Sequence, residues 1–225
     1  MALLVDSAWL DDVAQVCRDF PVIGVTTNPT IVLAAVERGQ KLTLDQLARE
    51  LLSVCPGQVF LQPVADTADE LVVAARACLA IDPHRIVLKL PMTSDGLRAG
   101  QTLQGDAARI AFTATYTLAQ AYCGLLARAD WIIPYFGRLR RAGLDACDRI
   151  GAMARLLRAQ QSGTRLLVAS LKSPDDVIEA TLAGAHDITA QPDVIRALAQ
   201  SPLTNDALSS FAKDWQAVRD AMSAN

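Results

Sequence analysis

Short, unbroken apolar runs alternate along this chain with longer stretches in which apolar positions recur every three or four residues. The runs occupy residues 3–5, 23–26, 59–62, 86–90, 109–113, 131–135, 165–169 and 187–189. Most are continuous rather than alternating in polarity, which is the pattern of parallel strands covered on both faces. The 3.6-residue period between them predicts helices over, for example, 67–79, 118–127, 150–159 and 175–183. Start and stop signals agree with the last of these. Ser173-Pro174-Asp175-Asp176 offers a capping serine, a proline at the first helical position and acids in the first turn, and Gly184 stands where the helix should end.

Strands alternating with helices imply right-handed crossovers and a parallel sheet. Eight such units in 225 residues, with no linker, low-complexity tract or composition break, predict an α/β architecture: a single (β/α)8 TIM barrel filling residues 1–225. An open doubly wound sheet is the alternative, but no G-x-G-x-x-G follows the first run. Residues 209–222 keep an amphipathic period beyond the eighth unit. An additional C-terminal helix, 203–222, is therefore expected to serve in oligomer contacts.

Composition narrows the class. A chain that is 52% hydrophobic and 20% charged is ordered and globular. A net charge of -3 argues against an unspecific nucleic-acid binder, and no apolar run reaches the ~18 residues of a membrane span. The five cysteines are odd in number and never spaced C-x-x-C, as expected of reduced thiols in a cytoplasmic protein. Asp6 and Asp11-Asp12 interrupt the apolar start, so no signal peptide is expected. His84 and His186 lie apart, and no His/Cys/acid cluster has metal-ligand spacing. No metal or cofactor is expected, and His84 is placed in the turn before the fourth strand.

In a barrel of this kind the C-terminal ends of the strands converge on one mouth, where the chemistry is kept. Asp6 ends the first run, Thr26-Thr27-Asn28-Pro29 the second and Gln62 the third. Lys89 lies in the fourth, Thr113 ends the fifth, Tyr135 the sixth with Arg138 beyond it, and Ser170 follows the seventh. Lys89 is the most informative of these. Only four of the 21 basic residues are lysines, and this one sits in Ile86-Val87-Leu88-Lys89-Leu90-Pro91, otherwise free of charge. A buried ammonium must pair, snorkel or lose its proton, and a lysine with a lowered pKa attacks ketones to form a Schiff base. Each feature also has a plainer reading. Lys89 could be structurally paired, Asp6 and Asn28 could cap helices, Tyr135 could be a core aromatic, and Arg140 and Arg141 could belong to a solvated basic loop.

Taken together these segments resemble a known family. Gly24-Val25-Thr26-Thr27-Asn28-Pro29-Thr30 resembles the G-V-T-T-N-P-[ST] signature of the transaldolase family, and Ile86 to Pro91 with Thr93 and Gly96-Leu97 resembles its Schiff-base lysine strand. Thr113-Ala114-Thr115-Tyr116, Leu118-Ala119-Gln120-Ala121, Pro134-Tyr135 with Arg138, and Ala169-Ser170 with Lys172 continue the similarity over essentially the whole chain. The short length points to the small-subunit branch that includes fructose-6-phosphate aldolase.

The resemblance implies a barrel that assembles as a pentamer or decamer, with the C-terminal helix touching a neighbour. It also implies a role for each mouth residue. Lys89 would form the Schiff base, Asp6 would orient it, and Asn28 with Thr27 would bind the dihydroxyacetone portion. Gln62, Thr113 and Tyr135 would hold the water that acts as base, while Arg138 and Ser170 would hold the phosphate. At position 62 the resemblance separates two activities, glutamate in transaldolases and glutamine in fructose-6-phosphate aldolase. The implied reaction is therefore class I aldol cleavage of fructose 6-phosphate, and transfer of a dihydroxyacetone unit between sugar phosphates is the alternative. Ile133 departs from the branch's small alanine, and Gly137 from its asparagine. The basic Arg138-Leu139-Arg140-Arg141 stretch admits a sulfonate sugar as well as a phosphate. A catalytically silent sugar-phosphate binder is the reading from another class, in which Lys89 would form no adduct.

Overall fold

The computed structural model describes residues 1–223. Its elements run β1 (Ala2–Asp6), α1 (Leu10–Asp19), β2 (Val22–Thr26), α2 (Pro29–Glu37), α3 (Leu44–Val54), β3 (Gln58–Leu61), α4 (Ala68–Leu79), β4 (Ile86–Pro91), α5 (Ser94–Gln104) and β5 (Arg109–Thr115). They continue through α6 (Leu118–Leu126), β6 (Trp131–Pro134), α7 (Phe136–Arg141), α8 (Ala146–Ala159), β7 (Arg165–Leu171), α9 (Pro174–Ala183), β8 (Asp187–Ala190), α10 (Pro192–Ala197) and α11 (Pro202–Ser223). The eight strands pair in parallel in chain order, and β1 closes the barrel against β8 through Ala2, Leu3, Leu4 and Val5. This is the (β/α)8 architecture that the alternating pattern predicts.

Local chemistry fixes the helix ends. Thr67 and Thr117 open α4 and α6 with reciprocal capping boxes to Glu70 and Gln120. Ser173 caps α9, whose first residue is Pro174, and Gly184 ends it in the left-handed region at φ 112°. Helix α8 begins at Ala146 rather than 150, because the Asp145 carboxylate accepts the Asp148 N–H and caps a first turn that carries no apolar periodicity. Residues 138–141, read from sequence as a loop, are the helix α7. Their basic character hid the turn that Phe136 and Leu139 anchor from below, both of them buried.

Strand alternation sorts side chains into two cores. Val59, Leu88, Leu90, Phe112, Ile132, Val168 and Ile188 face the helices. Leu4, Phe60, Val87, Ala111, Trp131, Ile133, Leu167 and Ala169 fill the barrel axis, with Phe60 meeting the edge of Trp131 at 5.1 Å between ring centroids. A polar layer closes the N-terminal end. There Asp187 accepts hydrogen bonds from Arg165 (2.6 Å), Trp131 Nε1 (3.2 Å) and Ala2 N (2.9 Å). His84 lies in the turn ahead of β4, with its backbone N–H on Asp82. Helix α11 has no buried residue, and Leu208, Phe211, Trp215, Val218 and Met222 form an exposed apolar stripe along it. Among the described residues no helix is long and apolar enough to cross a membrane.

Candidate active site

The period of two that puts Val87 on the barrel axis puts Lys89 there as well, one layer nearer the C-terminal mouth. The lysine is 1% exposed, and its Nζ donates a 2.8 Å hydrogen bond to the Thr27 carbonyl at the end of β2. Among the described residues no carboxylate lies within ion-pair distance of it. Burial therefore dominates and pulls the ammonium down to about 8, against a smaller opposing pull from the charge of Asp6. Asp6 makes no hydrogen bond to the lysine and acts on it through space.

Asp6 is held instead by hydroxyls. Thr26 Oγ1 donates to Asp6 Oδ1 at 2.6 Å and lies 2.6 Å from Thr189 Oγ1 on β8. Burial pushes the Asp6 carboxyl above its ordinary value, and Lys89, the Thr26 hydroxyl and the more distant Lys172 pull it back. A polar cavity of about 180 Å³ opens beside Asp6, lined in part by Ser7, Trp9, Arg38 and Gln191.

On the opposite side of the mouth Thr113 and Tyr135 share a 2.9 Å hydrogen bond between their hydroxyls. Burial raises the Tyr135 pKa, with the Thr113 bond opposing, so the phenol stays protonated and can donate. Gln62 is not bonded to this pair. Its Oε1 is buried without a partner, an acceptor that a substrate hydroxyl or a water would satisfy. Thr27 spends its hydroxyl hydrogen on the Phe60 carbonyl at 2.9 Å, so its backbone carbonyl is what meets Lys89. Asn28 caps α2 by accepting the Ile31 N–H, which leaves its amide NH₂ for a ligand.

The cationic side of the mouth resolves into two different arginines. Among the described residues Arg138 has no acidic partner. It lies 4.9 Å over the Tyr135 ring and donates to the Tyr116 hydroxyl at 3.3 Å. Arg140 instead clasps Asp176 at 2.6 Å and bonds Glu179, both on α9, so it is a structural tie rather than an anion ligand. Ser170 holds a left-handed backbone, φ 64°, at a break in the β7–β8 register. A Cβ on Gly137 would overlap the Ser170 carbonyl oxygen, so glycine there is what lets α7 start against the end of β7.

The structure thus gathers Asp6, Asn28, Gln62, Lys89, Thr113, Tyr135, Arg138 and Ser170 at strand ends on one face of the barrel. Sequence reasoning passed over Thr189, and it named Tyr116 and Lys172 only within the family-like segments, without a role at the mouth. A threonine ending the eighth apolar run was the available signal for Thr189. Among the described residues no three His, Cys, Asp or Glu side chains gather as a metal site requires.

Comparison with known proteins bears on the fold and on the family. Solved structures of a mandelate oxidase share the fold at a TM-score of 0.58 and 16% identity, over 88% of this chain and 67% of that one. A protein described as a probable transaldolase from Symbiobacterium thermophilum is 32% identical, over 97% of this chain and 99% of its own. One of the same description from Thermus thermophilus is 31% identical, over 97% of this chain and 100% of its own. Another from Roseobacter denitrificans is 33% identical, over 96% and 97%. The family model described as transaldolase/fructose-6-phosphate aldolase matches residues 3–225. This chain belongs to the transaldolase/fructose-6-phosphate aldolase family.

Proposed function

We propose that the protein is a class I aldolase that cleaves fructose 6-phosphate to dihydroxyacetone and glyceraldehyde 3-phosphate, and forms it in reverse. The observation that carries this reading is Lys89. It is a lysine in the barrel wall with no ion-pair partner among the described residues and a pKa lowered to about 8, so roughly a tenth is free amine at pH 7, far more than for an ordinary lysine. The amine attacks the C2 ketone, and loss of water leaves a protonated Schiff base. Removal of the C4 hydroxyl proton then sends the C3–C4 bonding electrons into that iminium. The aldehyde departs and an enamine remains on Lys89. Protonation at C3 and hydrolysis release dihydroxyacetone and restore the amine.

In this reading the Tyr135–Thr113 pair and the unpartnered Gln62 oxygen hold the water that relays the C4 hydroxyl proton. Asp6 and the Asn28 amide take the hydroxyls of the dihydroxyacetone part. Thr27, whose hydroxyl hydrogen is committed, contributes through its carbonyl to the resting position of the lysine. Arg138, which among the described residues has no carboxylate to neutralise it, binds the phosphate with Ser170. The same cation would accept a sulfonate.

Gln62 favours cleavage over transfer, because an amide is no general base by itself and works only through water. The second reading is transaldolase activity, favoured by the description of the relatives as probable transaldolases. Product analysis separates the two. Cleavage predicts free dihydroxyacetone from fructose 6-phosphate alone, whereas transfer predicts product only when an aldose phosphate acceptor is added.

The proposal extends to assembly. The exposed stripe on α11 and the apolar groove of about 670 Å³ beside Gln62, walled by Val32, Val36, Leu44 and Ala77, support a homo-oligomer in which α11 packs on another copy. The sugar phosphate is the only other partner in this reading, with no nucleic acid or membrane.

A further inference from the structure

We propose that Thr189 is a positioning residue which, acting through Thr26, keeps the Asp6 carboxylate ionised and fixed in orientation at the mouth. The inference rests on the reading that Asp6 works beside a Schiff-base Lys89. It starts from a count of hydrogens. Thr26 has one hydroxyl hydrogen and two oxygen neighbours, Asp6 Oδ1 and Thr189 Oγ1, each at 2.6 Å. An ionised Asp6 has no hydrogen to give, so Thr26 donates to Asp6 and Thr189 must donate to Thr26. The three groups form a chain with one direction, from β8 through β2 to β1.

The chain runs poorly the other way. If Asp6 were protonated and donated to Thr26, Thr26 would donate to Thr189, whose own hydrogen would then need an acceptor. Thr189 is 1% exposed, and among the described residues its hydroxyl has Thr26 as its hydrogen-bond partner and no further acceptor. If a protonated Asp6 instead kept accepting from Thr26, it would do so as the weaker oxygen of a neutral acid. Either arrangement disfavours the acid. The carboxylate needs this support because burial works against it.

The other charged and titratable groups that face Asp6 are few. Lys89 on β4 and Lys172 beyond β7 favour its charge, while Tyr135 after β6 titrates well above neutrality and feels the charge of Asp6 as a further upward push. Across the 180 Å³ cavity, Arg38 and Arg196 neutralise Asp12, and Asp193 is paired with Arg196. Among the described residues the side-chain hydrogen bond that holds Asp6 comes from the Thr26 hydroxyl on β2, and Thr189 on β8 reaches Asp6 through it.

Infrared titration tests the inference without substrate. The carboxylic C=O band of Asp6 is identified as the one missing in Asp6→Asn, and its half-protonation pH is compared between the unmodified protein, Thr189→Val and Thr189→Ser. Valine keeps the volume and removes the donor, so the midpoint should rise by about one pH unit. Serine should restore it, and Thr26→Val, one link nearer, should raise it further. If valine does not fold in place, Thr189→Ala makes the same deletion. Coincident midpoints in all variants would overturn the inference. Borohydride trapping in the same samples keeps the two readings apart. Loss of the Lys89 adduct in the unmodified protein would defeat the proposed function and leave the infrared result to decide the role of Thr189.

Discussion

Lys89 carries two linked consequences at the level of a single residue. Its ammonium is depressed to about 8, so the reactive free amine is the minority form below that pH. For cleavage of fructose 6-phosphate, kcat/KM should rise about tenfold per pH unit up to pH 8 and then level, as a pH–rate profile would show. Stability follows the same proton. Between about pH 8 and 10.5 the unfolded chain holds a proton on Lys89 that the folded chain does not, so folding gains stability as pH rises through that window and is penalised below it. Lys89→Met should therefore lower activity by on the order of 10⁴-fold or more. It should also raise the melting temperature at pH 7 by at least ~2 °C, read by calorimetry. A falling melting temperature would mean that the Nζ bond to Thr27 outweighs the cost of burying the charge. Arg138→Ala belongs to the same scale. It should raise KM for phosphorylated substrates by roughly 10- to 100-fold while leaving unphosphorylated aldehydes nearly unaffected in steady-state kinetics, since its guanidinium has no other anionic partner among the described residues.

At the scale of elements, the phosphate side of the mouth is built where α7 meets the end of β7. Gly137 lets the first turn of α7 abut the Ser170 carbonyl, and Ser170 itself is held at φ 64°. Gly137→Ala should cost about 2–3 kcal/mol in denaturant unfolding, because a Cβ must push two backbone segments apart. It should weaken phosphate affinity at the same time, since Arg138 rides on the same turn. Much of this scale was legible in the sequence. The eight apolar runs marked the strands, and Ser173-Pro174 with Gly184 marked both ends of α9, because these signals are local. Helix α7 was not legible, because six residues carrying three arginines offer no apolar period. The structural duty of Arg140 was hidden for another reason. Its partners Asp176 and Glu179 are more than thirty residues away and become neighbours only when the barrel closes. The Thr189–Thr26–Asp6 chain was invisible on the same grounds, since it spans the seam between β8 and β1.

The whole molecule is a closed barrel with one helix left over. Nothing in α11 is buried, and Trp215 is 58% exposed amid a stripe of apolar neighbours, an arrangement suited to contact with another copy. Light scattering should find a homo-oligomer, a pentamer or decamer on the family resemblance. Trp215→Glu with Phe211→Glu should shift it towards smaller species while far-ultraviolet circular dichroism of the barrel is kept. A monomer before substitution, or an unchanged assembly after it, would count against the packing of α11 on a second copy. The strand order and the convergence of seven polar strand ends were the features most open to sequence reasoning, because a barrel of alternating units has a fixed mouth. The assembly was not, because amphipathic periodicity says that a face must be covered and does not say by what.

The most direct measurement is reductive trapping. The protein is incubated with fructose 6-phosphate, reduced with borohydride and digested, and the peptide containing residues 86–91 is read by mass spectrometry, with free dihydroxyacetone assayed in parallel. The account predicts a reduced ketose-derived adduct on Lys89, absent in Lys89→Met, and dihydroxyacetone released without any acceptor. A stable protein that binds fructose 6-phosphate yet forms no adduct at Lys89 would contradict it.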